Sequence, residues 1–227
     1  MTKKKVYIFN SNSRAAVYGI GTYITQLTDC LKEAEIEFGL IYIHAEGEEV
    51  TATKQEGYQL ISIPSTSSSN PRSREYYARN IAYLLKEFIP VEKGVEYIFH
   101  LNFMSNPALV SNLKKTFKCK VILVAHYSNW SFTLLGDNLK FQRILAKRPK
   151  KRDYNEQSIV KDVKENAKMI AQCDKFVCIA RHSMESFTSI CRIDAKKTVL
   201  INNALKDCYI PVEEEQKRIL RHKYYIQ

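Results

Sequence analysis

Short apolar runs alternate with longer amphipathic stretches throughout this chain, and no other feature narrows its fold as far. The runs are Val6–Phe9, Leu40–Ile43, Leu60–Ile63, Tyr97–Leu101, Val121–Ala125, Phe176–Ala180 and Thr198–Ile201. As a group they are rich in Val, Ile and aromatic residues and lack the strict in-and-out alternation of a sheet with one wet face. They are therefore predicted to be strands covered on both sides. Between them, Ile24, Leu27, Leu31 and Ala34 recur at helical spacing, as do Ile159, Val163, Ala167 and Ile170. The second helix has a marked start, since Asp153 followed three residues later by Glu156 is a capping-box pattern. Strand and helix in alternation predict an α/β fold with a doubly wound, mostly parallel, Rossmann-like sheet.

A chain of 227 residues suffices for one sizeable core, and residues 1–227 are read as a single domain. At 45% hydrophobic and 26% charged, its composition excludes wholesale disorder and fibrous classes. Only Pro64–Pro71, Pro-Ser-Thr-Ser-Ser-Ser-Asn-Pro, reads as a long loop, a connection within the domain. The charged segment Val212–Tyr225 reads as a helix with no strand after it, so the chain is expected to stop at a domain boundary. No apolar run approaches the ~20 residues of a membrane span, and Met1–Asn10 lacks a signal peptide's apolar core. A cytoplasmic location is expected. Six cysteines, Cys30, Cys119, Cys173, Cys178, Cys191 and Cys208, form no C-x-x-C pair, and there are five histidines. The thiols are expected to be reduced and mostly buried, with no metal site.

In an open parallel sheet, ligands bind beyond the carboxyl ends of the strands, close to the point where strand order reverses. The residues that follow each strand are therefore the candidates. After the first strand comes Ser11–Gly21, with a helix expected from about Thr22; Gly19, Ile20 and Gly21 lie where backbone amides at a helix start would meet a phosphate. The dinucleotide fingerprint is broken, since Ile24 occupies the third glycine position, which disfavours a nicotinamide or flavin enzyme. His100, with Asn102, ends the fourth run and His126 the fifth, so both histidines should face one crevice. His126 is the stronger candidate, because Tyr127, Asn129 and the sole tryptophan, Trp130, follow it and offer stacking and hydrogen bonds to a sugar-like ring.

These residues carry a resemblance. The Gly19-Ile20-Gly21 segment and its helix, Val124-Ala125-His126, Phe176 to Phe187, and Thr198 to Asp207 are together similar to the N-terminal half of the group-one, retaining glycosyltransferases of the GT-B fold. The likeness runs over about residues 5 to 225. It implies the acceptor-binding half of a two-domain enzyme, whose donor-binding C-terminal half is absent from this chain. It further implies a nucleotide-sugar donor as substrate with no other cofactor, a glycan or lipid-linked acceptor, retention of configuration, and a role in polysaccharide assembly. Gly19 and Gly21 match the family's donor-phosphate loop, and His126 matches the histidine near the reacting sugar, where it would act by orientation and charge stabilisation. His100, Asn102, Tyr127, Asn129 and Trp130 would contact the acceptor. Asn203-Ala204 stands where the family commonly has Asn-Gly, and Arg181 about where many members have a serine. The isolated chain is expected to fold but to be inactive.

The net charge of +11 favours anionic partners. From Asn138 to Arg152 there are seven basic residues, Lys140, Arg143, Lys147, Arg148, Lys150, Lys151 and Arg152, and no acidic one. Phe141, Ile144 and Leu145 fall on another face of the same helix, so the segment reads either as a solvated helix packed on the sheet or as a peripheral contact with the inner face of an anionic membrane. Two alternatives remain open at this stage. A nucleic-acid-binding module would use the charge, but no RNP, KH, zinc-finger or helix-turn-helix signature is present and no nucleic-acid partner is expected. Another GT-B enzyme, such as a sugar-nucleotide epimerase, would share the half seen here.

Overall fold

The structure, a computed structural model, describes residues 3–11, 19–65, 71–102, 107–204 and 212–224, apart from the side chains of residues 71 and 74. Eight strands form one sheet: β1 (Lys3–Ser11), β2 (Glu37–Ala45), β3 (Thr51–Gln55), β4 (Tyr58–Pro64), β5 (Val95–Leu101), β6 (Cys119–Ala125), β7 (Lys175–Cys178) and β8 (Thr198–Leu200). Their spatial order is β3-β4-β2-β1-β5-β6-β7-β8, with every neighbour parallel except β3 on β4. The predicted fold class is the observed one. The order reverses between β1 and β5, where Phe9 lies beside Leu101, and that places the crevice.

The described helices are α1 (Gly19–Glu33), α2 (Pro71–Phe88), α3 (Pro107–Thr116), α4 (Asn129–Thr133), α5 (Asn138–Ala146), α6 (Tyr154–Gln172), α7 (Arg181–Glu185) and α8 (Glu214–Lys223). The central strands are covered on both faces. Alternate residues of β1 serve two cores: Val6 and Ile8 pack with Ile20, Ile24 and Leu31 of α1, whereas Tyr7 and Phe9 join the larger cluster under α2 and α3. Each fully buried aromatic or aliphatic side chain contributes about 2–3 kcal/mol of apolar burial, which sets this sheet as the rigid frame. The capping box at α6 is present in both directions, Asp153 accepting from the Glu156 amide and Glu156 from the Asp153 amide.

Four expectations shift. β3 was not foreseen: Thr-Ala-Thr-Lys-Gln has no apolar run, all five residues are exposed, and only pairing with β4 through the Glu56-Gly57 turn makes it a strand. Helix α1 starts at Gly19 rather than Thr22, and residues 12–18 of the preceding segment, like residues 66–70 of the Pro64–Pro71 stretch, lie outside the described residues. β7 and β8 end at Cys178 and Leu200, two residues and one residue early. Of the cysteines, Cys173 and Cys178 are buried, Cys119 and Cys191 half-buried and Cys30 exposed; all five are free, and Cys208 is outside the described residues.

Candidate active site

Four side chains meet where the carboxyl ends of β1, β5 and β6 come together beside α1. Asn102, one residue past β5, is buried and donates from Nδ2 to the Phe9 carbonyl at 3.0 Å, tying β5 to the end of β1. That bond fixes which end of the amide is oxygen. Asn102 Oδ1 then lies 3.1 Å from His126 Nε2, so Nε2 carries the hydrogen and donates, which leaves the lone pair of a neutral ring on Nδ1. Tyr23, one helical turn after Gly19, fills the space between the two histidines. Its ring stands edge-on to His126 at 4.8 Å and lies nearly parallel to His100 at 5.9 Å, with its hydroxyl 3.3 Å from His100 Nε2. Asn10, the last buried residue of β1, accepts the Ser11 amide.

Burial decides the charge state. It pushes His126 down to about 4 and His100 down to about 4, the latter helped by the adjacent His126, and it raises Tyr23 to about 12. Both imidazoles are neutral near pH 7. The His126 ring therefore acts as a neutral group near pH 7, with its Nε2 hydrogen committed to Asn102 and the Nδ1 lone pair left as an acceptor. His100, only 6% exposed, keeps Nδ1 without a partner among the described residues. No cluster of three or more His, Cys, Asp or Glu side chains that could hold a metal ion occurs among the described residues.

The other sequence candidates are distributed differently. Gly19 and Gly21 lie in the first turn of α1, on the carboxyl side of β1, but Ile20 between them is buried in the smaller core and anchors the helix. A Cβ at Gly19 would meet nothing within 4 Å. Tyr127 and Asn129 are exposed past the end of β6. Trp130 is 4% exposed, stacked on Phe141 at 4.1 Å and 6° and edge-on to Phe187 at 5.8 Å, so this ring is a core member and not a platform for a sugar. Asn102 has both ends of its amide engaged within the protein, which makes it a positioning residue for His126. Nothing in the sequence around Tyr23 marks it as a site residue except its spacing of four from Gly19, which puts the two on one face of α1.

Within the basic segment, the structure separates two roles. Lys147 pairs with Glu156 at 2.7 Å, and Arg152 donates to the carbonyls of Ile144 and Leu145 at the end of α5. Lys140, Arg143, Arg148, Lys150 and Lys151 are exposed, while Phe141 and Ile144 are buried beneath.

No family model and no curated protein matches the sequence. Solved structures do match. A glycosyltransferase from Rickettsia africae superposes with a TM-score of 0.53 at 15% identity, over 100% of this chain and 51% of that one. Sucrose-phosphate synthase from Thermosynechococcus elongatus gives 0.54 at 10% identity, over 98% and 97%. An Escherichia coli trehalose-6-phosphate structure bound with UDP-2-fluoro glucose gives 0.50 at 8% identity, over 96% and 54%. The fold is that of one half of the GT-B glycosyltransferases. The chain spans about half the length of the Rickettsia africae enzyme.

Proposed function

We propose that this chain is the N-terminal, acceptor-binding half of a retaining glycosyltransferase that uses a nucleotide-sugar donor and a glycan or lipid-linked acceptor. The observation that carries the reading is the His126–Asn102–Phe9 chain of hydrogen bonds, which holds a neutral histidine at the reversal point of a GT-B-like sheet. In the reaction, the bond from the sugar's anomeric carbon to the diphosphate oxygen breaks. A bond from the same carbon to an acceptor hydroxyl oxygen forms on the same face, and the hydroxyl proton leaves with the diphosphate. His126 Nδ1 would accept a hydrogen bond from a sugar hydroxyl and align it, and the start of α1 at Gly19–Gly21, the positive end of the helix, would face the leaving phosphates.

Transfer from a panel of labelled nucleotide sugars, measured in a polypeptide that pairs this half with a donor-binding half, tests the reading. His126→Ala should cut kcat at least about tenfold, and His126→Gln, which keeps a donor for buried Asn102, should lose activity while holding the melting temperature near that of the unaltered protein, as expected of a group that acts on substrate. Calorimetric titration of the isolated chain with the same nucleotide sugars should show nothing tighter than about millimolar. Micromolar binding to the isolated chain, or unaltered kinetics in the variants, would overturn the assignment.

A further inference from the structure

The connection from α4 to α5 turns apolar side chains outward. Leu135 is 94% exposed in a left-handed backbone conformation with φ 50°, Phe132 is 67% exposed, and Leu139 is 65% exposed. Phe132 packs its ring on exposed Tyr127 at 5.6 Å, and Leu135 and Leu139 follow Phe132 within seven residues of the same connection, so exposed apolar side chains are concentrated in this one segment. Trp130, Leu134, Phe141 and Ile144 of the same segment are buried, which anchors it and commits the outward face to solvent.

Charge supplies the second, independent observation. On α5, Arg143 follows Leu139 by one turn on the outward face, opposite Phe141 and Ile144. Lys140 of α5 and Arg148, Lys150 and Lys151 just after it are exposed, and Lys150 and Arg152 share a groove with Lys161, Lys164, Lys168 and the single acid Glu165 of α6. Asp137, the acid that precedes the stretch, already accepts the Lys140 amide as the cap of α5. A neutral protein surface would have to desolvate these cations without repayment, whereas a layer of lipid phosphates pairs with them while the apolar tip leaves water.

We propose that this face docks on an anionic lipid bilayer. Phe132, Leu135 and Leu139 enter the headgroup layer, and Lys140, Arg143, Arg148, Lys150 and Lys151 pair with lipid phosphates. No described helix is long and apolar enough to cross a membrane, so the contact is interfacial. Because Tyr127 directly follows His126, the docked face borders the crevice. A bilayer-held acceptor would reach it from that side, a consequence that rests on the glycosyltransferase reading, whereas the docking does not.

The test is co-sedimentation with vesicles of phosphatidylcholine plus phosphatidylglycerol and of phosphatidylcholine alone, at about 0.1 M and about 0.5 M salt. One variant carries Phe132→Ser, Leu135→Ser and Leu139→Ser; another carries Lys140→Gln, Arg143→Gln, Arg148→Gln, Lys150→Gln and Lys151→Gln, sparing Lys147 and Arg152. Both alter exposed side chains only. The unaltered protein should sediment with the anionic vesicles at low salt, and each variant should partition at least about tenfold more weakly. Leu135→Trp should show a blue-shifted emission on those vesicles against the constant signal of buried Trp130. The proposal is overturned if the unaltered protein stays in the supernatant, if both variants sediment equally well, or if the Trp emission does not move. It is equally overturned if the patch instead forms a dimer that sedimentation velocity shows the apolar variant to lose. These vesicles contain no sugar acceptor, so a failure here leaves transfer to a soluble acceptor untouched.

Discussion

The neutral histidine pair makes stability depend on pH in a calculable way. His100 and His126 each fall from 6.5 to about 4 on folding, because burial penalises the imidazolium. The unfolded chain therefore binds more protons than the folded one between those values, and stability falls as pH drops through 6.5 and levels off below about 4. At about pH 5 an unfolded histidine is almost fully protonated while the folded one is mostly neutral, which costs about 2 kcal/mol for each ring and about 4 kcal/mol for the pair. That is a large share of the 5–15 kcal/mol typical of a whole domain. Burial also lowers His44, in the same direction, while the ion-paired carboxyls of Glu37 and Asp174 are held low and lose their contribution only at more acid pH. Urea unfolding followed by circular dichroism at about pH 7.5 and about pH 5 reads the difference. With a slope of about 3 kcal/mol/M, the midpoint should fall by more than about 1 M. His100→Phe with His126→Gln removes both titrating groups, keeps a ring against Tyr23 and keeps an amide donor for Asn102. The drop should shrink by more than half in this double variant. A wild-type midpoint that is the same at both pH values, or a double variant that falls as far as wild type, would refute the claim that both rings are buried neutral.

Two further outcomes concern the frame around the site. Phe141→Ala empties the position on which Trp130 stacks at 4.1 Å and should cost about 3–5 kcal/mol, lowering the melting temperature by roughly 10 °C; a loss below about 1 kcal/mol would mean that Trp130 is not held there. Gly39→Ala would place a Cβ 2.9 Å from Tyr7 Cε1 and 3.2 Å from the Gln59 carbonyl, so the urea midpoint should drop by the equivalent of about 1–3 kcal/mol, and an unchanged or raised midpoint would contradict the close packing of β1, β2 and β4.

Local chemistry determined much of this protein on its own. Apolar runs such as Val6–Phe9 and Val121–Ala125 had no alternative to doubly covered strands, because only burial on both faces satisfies a run without alternation. The Asp153–Glu156 pair opened α6 because its reciprocal bonds need only three residues of helix. Histidines placed directly at strand ends had to reach the carboxyl edge of the sheet, so the neighbourhood of the crevice was legible in outline. What the tertiary structure decided was every property that depends on residues distant in sequence. β3 exists through a ladder to β4, since Thr51–Gln55 carries no periodic signal of its own. The place of Trp130 just after His126 in the sequence points to a ligand, but Phe141 and Phe187 draw it into the core, because the apolar area of an indole gains most when surrounded. Tyr23 and Asn102 meet His126 from positions 103 and 24 residues away, and only the packing of α1 on β1 and β2, with β5 and β6 paired in turn beside β1, brings them together. The protonation of His126 follows from that enclosure: residue type sets an ordinary imidazole near 6.5, and the depth at which the fold places it moves it to about 4.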